Sequence, residues 1–392
     1  MLTTLPSGTR STIARLAQEA NLALAGITSA DPFPATAAYV IDHIERGHGR
    51  GMDWFTPERA RQSSDPRTLL PNARSIISVG LPFWSGEAVP PEDGRLRGRI
   101  ARYAWGKDYH RVLKRRMTQF VELLRAEIGL PVEARTLVDT ARVFDRAVAW
   151  RAGVGWQGKN SMIIVPGHGS WVMLGVLYLD ISLPPDLPLN HDCGRCSICL
   201  DRCPTGAIIE PYRIDTPRCI SYLTIEERGP IPHDLRHFMG NWVFGCDLCQ
   251  DVCPYTKAAR PTDDPAFQPA TINNNFPDLA WLVTVSEAEF RAVYQGTAVT
   301  RAKRRGMARN AVIALGNSGS SRAEESLTWA LRSHEEPLVR GHAAWALGRL
   351  LGPSARPQLD QARRQDHDET VREEVRVALD LLGSSTAAAD SL

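Results

Sequence analysis

All eight cysteines of this 392-residue chain fall between Cys193 and Cys253, and their spacing leaves little choice of local fold. The first four read Cys193-x-x-Cys196-x-x-Cys199-x-x-x-Cys203-Pro204; then come Cys219 and the run Cys246-x-x-Cys249-x-x-x-Cys253-Pro254. Thiolates three residues apart converge on one cubane iron–sulfur cluster, and the last cysteine, followed by proline, starts a helix that carries its sulfur toward the other cluster. By that crossing rule one [4Fe-4S] cluster takes Cys193, Cys196, Cys199 and Cys253. The second takes Cys203, Cys219, Cys246 and Cys249, with the distant Cys219 marking an insertion between the halves. Zinc is the alternative, but zinc sites pair two ligands rather than stringing three before Cys-Pro. Two clusters so spaced conduct electrons; their destination must be read elsewhere.

The length predicts two to three domains. With 43% hydrophobic and 23% charged residues the chain has an ordinary globular balance. No apolar run approaches the roughly 20 residues of a membrane-spanning helix. The start, Met1 to Arg10, shows no basic end, apolar stretch and small-residue cleavage site, so a cytoplasmic protein is expected. That setting also disfavours disulfides.

Patterns of helix and strand alternate up to about residue 183. Tyr109 to Gly129 places Val112, Phe120, Leu123, Leu124 and Ile128 on one helical face, while 75–79, 135–139, 161–165 and 171–179 read as buried strands. Near the C-terminus Ala314-Leu315-Gly316, Ala346-Leu347-Gly348 and Ala378-Leu379-Asp380 recur every 32 residues, as short helical hairpin repeats would. Unrelated Ala-rich helices are the alternative. Two basic stretches stand out against a net charge of +2: Arg95 to Arg116, with Asp108 its only acid, and Arg301, Lys303, Arg304, Arg305 and Arg309, with none. Either is a solvated helix face or a site for a polyanion.

Taken together, Arg102-Tyr-Ala-Trp-Gly-Lys-Asp-Tyr-His110, Val138-Asp-Thr140, Asp145-Arg-Ala-Val148, Arg151-Ala-Gly153, Gly158-Lys-Asn-Ser-Met162, both cysteine sets and Arg340-Gly-His-Ala-Ala-Trp-Ala-Leu-Gly348 resemble the epoxyqueuosine reductase family. The resemblance implies an α+β architecture: a nitroreductase-like cobalamin-binding domain over 1–184, a ferredoxin-like domain with two clusters over 185–278, and HEAT-like repeats that bind tRNA over 279–384. A disordered tail, 385–392, follows. The implied reaction converts epoxyqueuosine at the tRNA wobble position to queuosine, with two electrons, two protons and release of water. Clusters pass electrons from an unidentified donor to cobalamin, in a monomer. A corrinoid reductive dehalogenase-like enzyme and a ferredoxin-like electron carrier are the competing readings; the basic repeats and missing leader speak against the first, the large N-terminal domain against the second.

The resemblance also implies roles. Asp139 is the proton donor, at the end of an apolar strand where burial would raise its pKa; a helix-capping role is its alternative. The cobalamin contacts carried over are Arg61, Ala101, Asp139, Asn160, Ile163, Val165 and Leu174, and Ala101 cannot ligate cobalt. The Asp-x-His-x-x-Gly pattern of histidine-ligated cobalamin is missing after Asp108-Tyr-His110, so cobalt is expected without a protein histidine. His110, His233 and His237 read as surface or hydrogen-bonded residues. Tyr222 and Trp242 are candidates for base stacking or core packing. Arg301, Lys303, Arg304, Arg305 and Arg309 become the phosphate contacts.

Overall fold

The computed structural model describes residues 9–389, and for 258 and 384–389 the backbone only. The chain divides into two compact units, each assembled from several segments. The first comprises residues up to 86, 106–217 and 247–268; the second, 87–105, 218–246 and 269 onward. Among the described residues no helix is long and apolar enough to cross a membrane. The leader reading rests mostly on residues 1–8, outside those described. The helix Glu369–Ala389 runs into the expected tail, of which 390–392 also lie outside.

The first unit is built on a four-stranded antiparallel sheet in the order Leu24–Ser29, Ser75–Pro82, Val172–Leu179, Ala134–Leu137. The two central strands bury both faces, which is why their sequences are nearly continuous apolar runs: Ile76, Ile77, Val79, Val176 and Leu177 are all fully buried. Helix Tyr109–Ile128 begins at an Asp108 cap and buries Val112, Leu113, Met117, Phe120 and Leu124. It comes so near the sheet that a Cβ on Gly175 would lie 2.8 Å from Met117 Sδ. Two expected strands are shorter than read. The segment 135–139 is an edge strand that stops at Leu137, and 161–165 contributes only Ile163–Ile164, paired with Trp156–Gln157.

In the second unit, helices Lys303–Asn317, Pro337–Leu351 and Glu369–Ala389 pack side by side, with Glu324–Ser333 and Arg356–Gln365 between them in sequence. The 32-residue period is therefore a repeat of helical hairpins. Its Ala-Leu-Gly signature marks the crossings: a Cβ on Gly316 would sit 2.8 Å from Ala346 Cα, and one on Gly348 would face Ala378. Helix Pro337–Leu351, packed on two sides, is buried without interruption from Gly341 to Gly348, and five of those eight residues are Gly or Ala. Arg340 holds Asp366 in a bidentate pair and donates to His334 O; Arg372, one period on, donates likewise to Asp366 O.

The basic stretch 95–116 proves to be paired in part. Arg95 and Arg97 meet Asp93, Arg95 also meets Asp278, Arg102 reaches Glu87, and Arg116 reaches Asp264. Acids outside the run, from the adjacent Asp93 to the remote Asp264 and Asp278, thus neutralise four of its nine cations.

Candidate active site and cysteine centre

Beyond Leu137 the edge strand breaks into a turn at Asp139, whose φ of 35° is unusual for a residue with a side chain. Arg59 pins this turn through the carbonyls of Thr140 and Ala141, and Arg142 bonds Gln62 Oε1 at 2.6 Å. Arg59 and Gln62 come from the helix Pro57–Ser64. Arg61 on the same helix is exposed beside Glu58, so the arginine that serves the Asp139 loop is Arg59.

The first turn of helix Tyr109–Ile128 meets this loop. Tyr109 Oη donates to Asp139 Oδ2 at 2.6 Å. His110 Nδ1 lies 2.8 Å from Asp108 Oδ1, and its Nε2 lies 3.4 Å from Asp139 Oδ2, within charge attraction though not aligned as a hydrogen bond. The two rings stack with centroids 4.1 Å apart. Held by Asp108 and then Asp139, the imidazole is pushed up to about 9. The Asp139 carboxyl moves the other way. Desolvation would raise it, but the nearby His110 imidazolium and the bond from Tyr109 outweigh that and hold it below the ordinary carboxylate value.

Two expectations are corrected here. Asp139 is 54% exposed rather than buried, and it does not keep its own proton near neutrality. The proton rests on His110. Nor is Asp139 a helix cap, since Asp145–Arg151 begins at Phe144 without a side-chain cap. Sequence reasoning missed Tyr109 and His110 as partners of Asp139, and it missed Asp145. The Asp145 carboxyl is raised by desolvation, against Arg146, and by the charge of Asp139. Carboxyls pushed apart in this way are a mark of acid–base sites.

Arg146 carries the connection onward, donating to Ser161 O at 2.7 Å. In the same tight turn Lys159 Nζ bonds Gly194 O at 2.7 Å, and Asn160 Nδ2 reaches Cys249 O at 3.4 Å. One short segment thus ties the Asp139 site to both cysteine loops of this unit. Cys193 and Cys253 are buried against Trp156, Ile164, Leu189 and Tyr255. Burial, then the neighbouring Cys193, Cys253 and Cys196, push the Cys199 thiol up to about 11. Burial and Cys193 and Cys196 likewise raise Cys253. Four thiols in one electrostatic neighbourhood destabilise one another's anions, and ferric and ferrous iron would relieve that; the set fits an iron–sulfur cluster. Among the described residues no three donors close round a single ion. The cysteine helices differ from the expectation: Ile198–Asp201 and Leu248–Asp251 lie before the Cys-Pro pairs, a 3₁₀ turn follows Cys253, and the chain after Cys203 turns into strand Ile208–Glu210.

Three family models match: a 4Fe-4S double cluster binding domain over residues 192–256, epoxyqueuosine reductase QueG over 64–140, and HEAT repeats over 298–380. An epoxyqueuosine reductase of Xanthomonas campestris is 38% identical over 346 residues, covering 87% of this chain and 96% of its own. The chain belongs to the epoxyqueuosine reductase family. The crystal structure of an epoxyqueuosine reductase with an epoxyqueuosine-modified tRNA-Tyr stem loop superposes at a TM-score of 0.88 and 32% identity, covering 96% of this chain and all of that one. A Bacillus subtilis epoxyqueuosine reductase, solved with its catalytic aspartate loop swung out of the active site, superposes at 0.87 and 31% identity, covering 95% and 99%. The matched cluster domain and repeats are the two parts of this reductase-family chain that its cysteine spacing and 32-residue period had marked.

Other carried-over contacts fall differently. Asn160 is 2% exposed and engaged as described. Ile163 and Val165 are buried in a core with Ala149, Ala152 and Val154, and the half-buried Leu174 packs on it. Ala101 is buried in the second unit. For cobalamin the polar group of Tyr109, His110 and Asp139 is what fits, including the buried His110 Nε2, which lacks a hydrogen-bond partner. Trp242 and Tyr222 are buried, as core residues are.

Of the five expected phosphate contacts, Arg309 is overturned: it is 1% exposed and bonded to main-chain oxygens. Arg301 pairs with Glu226, Arg304 with Glu335 and Glu287, and Arg305 lies 4.0 Å from Glu336. Lys303, Arg304 and Arg305 border a recess of about 740 Å³ whose charge is mixed rather than purely basic.

Proposed function

We propose that this chain reduces epoxyqueuosine to queuosine at the wobble position of tRNA, with cobalamin and two [4Fe-4S] clusters as cofactors. The observation that carries this is the Tyr109–His110–Asp139 group, wired through Arg146 and the 159–161 turn to the cysteine loops. Cobalamin, when bound, supplies the reduced centre that opens the epoxide. The chain's own residues handle the protons. Asp139 faces the departing oxygen, Tyr109 fixes its carboxylate, and His110 recharges it through Nε2. Because the pair shares a proton held by His110, an acid remains available at neutral pH although Asp139 alone would be ionised. The exposed loop position of Asp139 suits a group that swings in over substrate.

The division of labour is that drawn above: 1–184 for the nitroreductase-like cobalamin domain, 185–278 for the clusters and 279–384 for tRNA. Of the cation set, Arg301, Lys303 and Arg305 are the phosphate contacts. Electrons come from a separate donor, and the protein works as a cytoplasmic monomer.

The test is anaerobic reconstitution with iron, sulfide and cobalamin, a chemical reductant and an epoxyqueuosine stem loop. Mass spectrometry of the digested RNA should find the nucleoside one oxygen atom lighter, and D139N should abolish most of that product. An unchanged nucleoside with fully loaded, reducible enzyme would overturn the proposal.

A further inference from the structure

Arg309 poses a problem of charge. A guanidinium has five N–H donors and is rarely buried without a carboxylate. Here all five are used on neutral oxygens: Nη1 on Glu227 O and Gly229 O, both at 2.8 Å, Nη2 on Leu223 O at 2.7 Å, and Nη2 and Nε on Asn310 Oδ1 at 2.9 and 3.0 Å. No donor remains for a phosphate. Asn310, itself fully buried, spends its amide on Thr224 O at 2.9 Å and Val243 O at 2.8 Å. Two adjacent residues in the middle of helix Lys303–Asn317 thus hold five carbonyls of one stretch, 223–243.

That stretch is the insertion between Cys219 and Cys246. Cys219 stands at the start of helix Ile220–Ile225, and its carbonyl accepts from Leu223 N at 2.9 Å. Cys246 leaves strand Trp242–Phe244 by way of Gly245, whose N–H donates to Thr224 Oγ1 at 2.9 Å. Thr224 therefore bonds Asn310 through its carbonyl and the approach to Cys246 through its hydroxyl. Leu223 and Thr224, at the end of the Cys219 helix, and Val243, in the Cys246 strand, are fastened to the same two side chains.

We infer that Arg309 and Asn310 are positioning residues for the thiol pair Cys219 and Cys246, so that the repeat helix fixes how these two ligands of the second cluster are presented. This rests on reading those two cysteines as ligands of that cluster. The chemistry supports the choice of residue. A four-iron cluster with four thiolates is an anion, and a buried guanidinium matched to carbonyls alone leaves its positive charge available to stabilise the reduced state. Burial lowers Arg309 only to about 10, so it stays charged at neutral pH. A lysine could keep the charge but not the five-point geometry.

The experiment compares R309K, R309M, N310A and C246A in the full chain, reconstituted anaerobically. Readouts are iron content, electron paramagnetic resonance of each reduced cluster, reduction potentials, and affinity and salt dependence for an epoxyqueuosine stem loop. R309M should lose or distort the second cluster's signal, or shift its potential to more negative values, while the cluster of Cys193, Cys196, Cys199 and Cys253 keeps its own. R309K should restore the potential better than the signal shape, and N310A should alter the signal with the charge retained. RNA affinity should change less than about twofold, with the salt slope unchanged. Both signals and both potentials unaltered in R309M and N310A would overturn the inference, as would a lowered salt slope. If R309M does not fold, T224V, which deletes only the hydroxyl that Gly245 uses, decides by the same second-cluster signature. C246A separates the two failures: if it keeps both clusters the ligand reading falls, and if it loses one while R309M and N310A lose nothing, only the positioning role falls.

Discussion

His110 Nε2 stands 3.4 Å from Asp139 Oδ2, with the other ring nitrogen anchored on Asp108 at 2.8 Å. An imidazole between two carboxylates keeps its proton well past neutrality, and this one is pushed up to about 9. Its pKa is raised above the unfolded value, so the stability it adds is fully present below about 6.5 and is lost as pH climbs through about 9. Turnover should share the upper limb. Single-turnover rates should fall as pH rises through about 9, and H110Q should be slow with that limb gone. D139N should lose about 10²–10⁴-fold. An unaltered limb in H110Q would assign the proton elsewhere.

The two glycines of the repeat signature should respond oppositely to alanine. At Gly316 the new methyl would lie 2.7 Å from Ala346 Cβ and 2.8 Å from its Cα, so the backbone itself must yield. Overpacking of that kind costs about 1–3 kcal/mol. At Gly348 the nearest atom is 3.8 Å away, an ordinary contact, and replacing a helical glycine gains up to about 1 kcal/mol. Urea denaturation of G316A and G348A should move the midpoint down and up respectively.

How much of this the sequence carries depends on whether partners are local. The cysteine sets and the Ala-Leu-Gly period are legible because spacing is itself the geometry: one dictates where sulfurs converge, the other where helices cross. Tyr109 and Asp139 are 30 residues apart in separate elements, and no periodicity links them. Arg309 misleads for a different reason. Its type predicts a wet surface, and only the carbonyls gathered from 223–229 reverse that. The basic runs mislead likewise, since Glu87, Asp93, Glu226 and Glu335 neutralise part of them from outside the runs.

Arg236 is fully buried and holds Glu374 through two bonds, 2.9 and 2.7 Å, with His233 at 3.2 Å. Burial would raise the Glu374 carboxyl, but these partners carry it down to about 2. The pair's contribution is therefore complete above about 4.5 and disappears as pH falls through about 2. E374Q strands the guanidinium, and should cost about 3–5 kcal/mol at neutral pH. Its deficit against the parent should shrink in acid, and a constant deficit from neutral to acid pH would refute the charge argument.

The RNA surface gives the last prediction, because exposure now separates cations that the sequence could not. Arg301 and Arg305 are 52% and 44% exposed, beside Glu226 and Glu336 respectively; Arg304 is 13% exposed between Glu287 and Glu335. A phosphate can displace an exposed carboxylate, but the exchange returns part of the charge gained. Each of the two should thus contribute no more than about 0.7 to 0.9 to the salt slope of binding. The double variant R301A/R305A should bind an epoxyqueuosine stem loop more weakly at low salt, with a shallower slope. R304A should leave the slope alone and show itself in stability, since it releases both Glu287 and Glu335. Contacts of this kind set the register of the anticodon arm without reading its bases, so the double variant should keep its rate at saturating RNA. A slope lowered equally by R304A, or left untouched by the double change, would place the RNA on another face of the repeats.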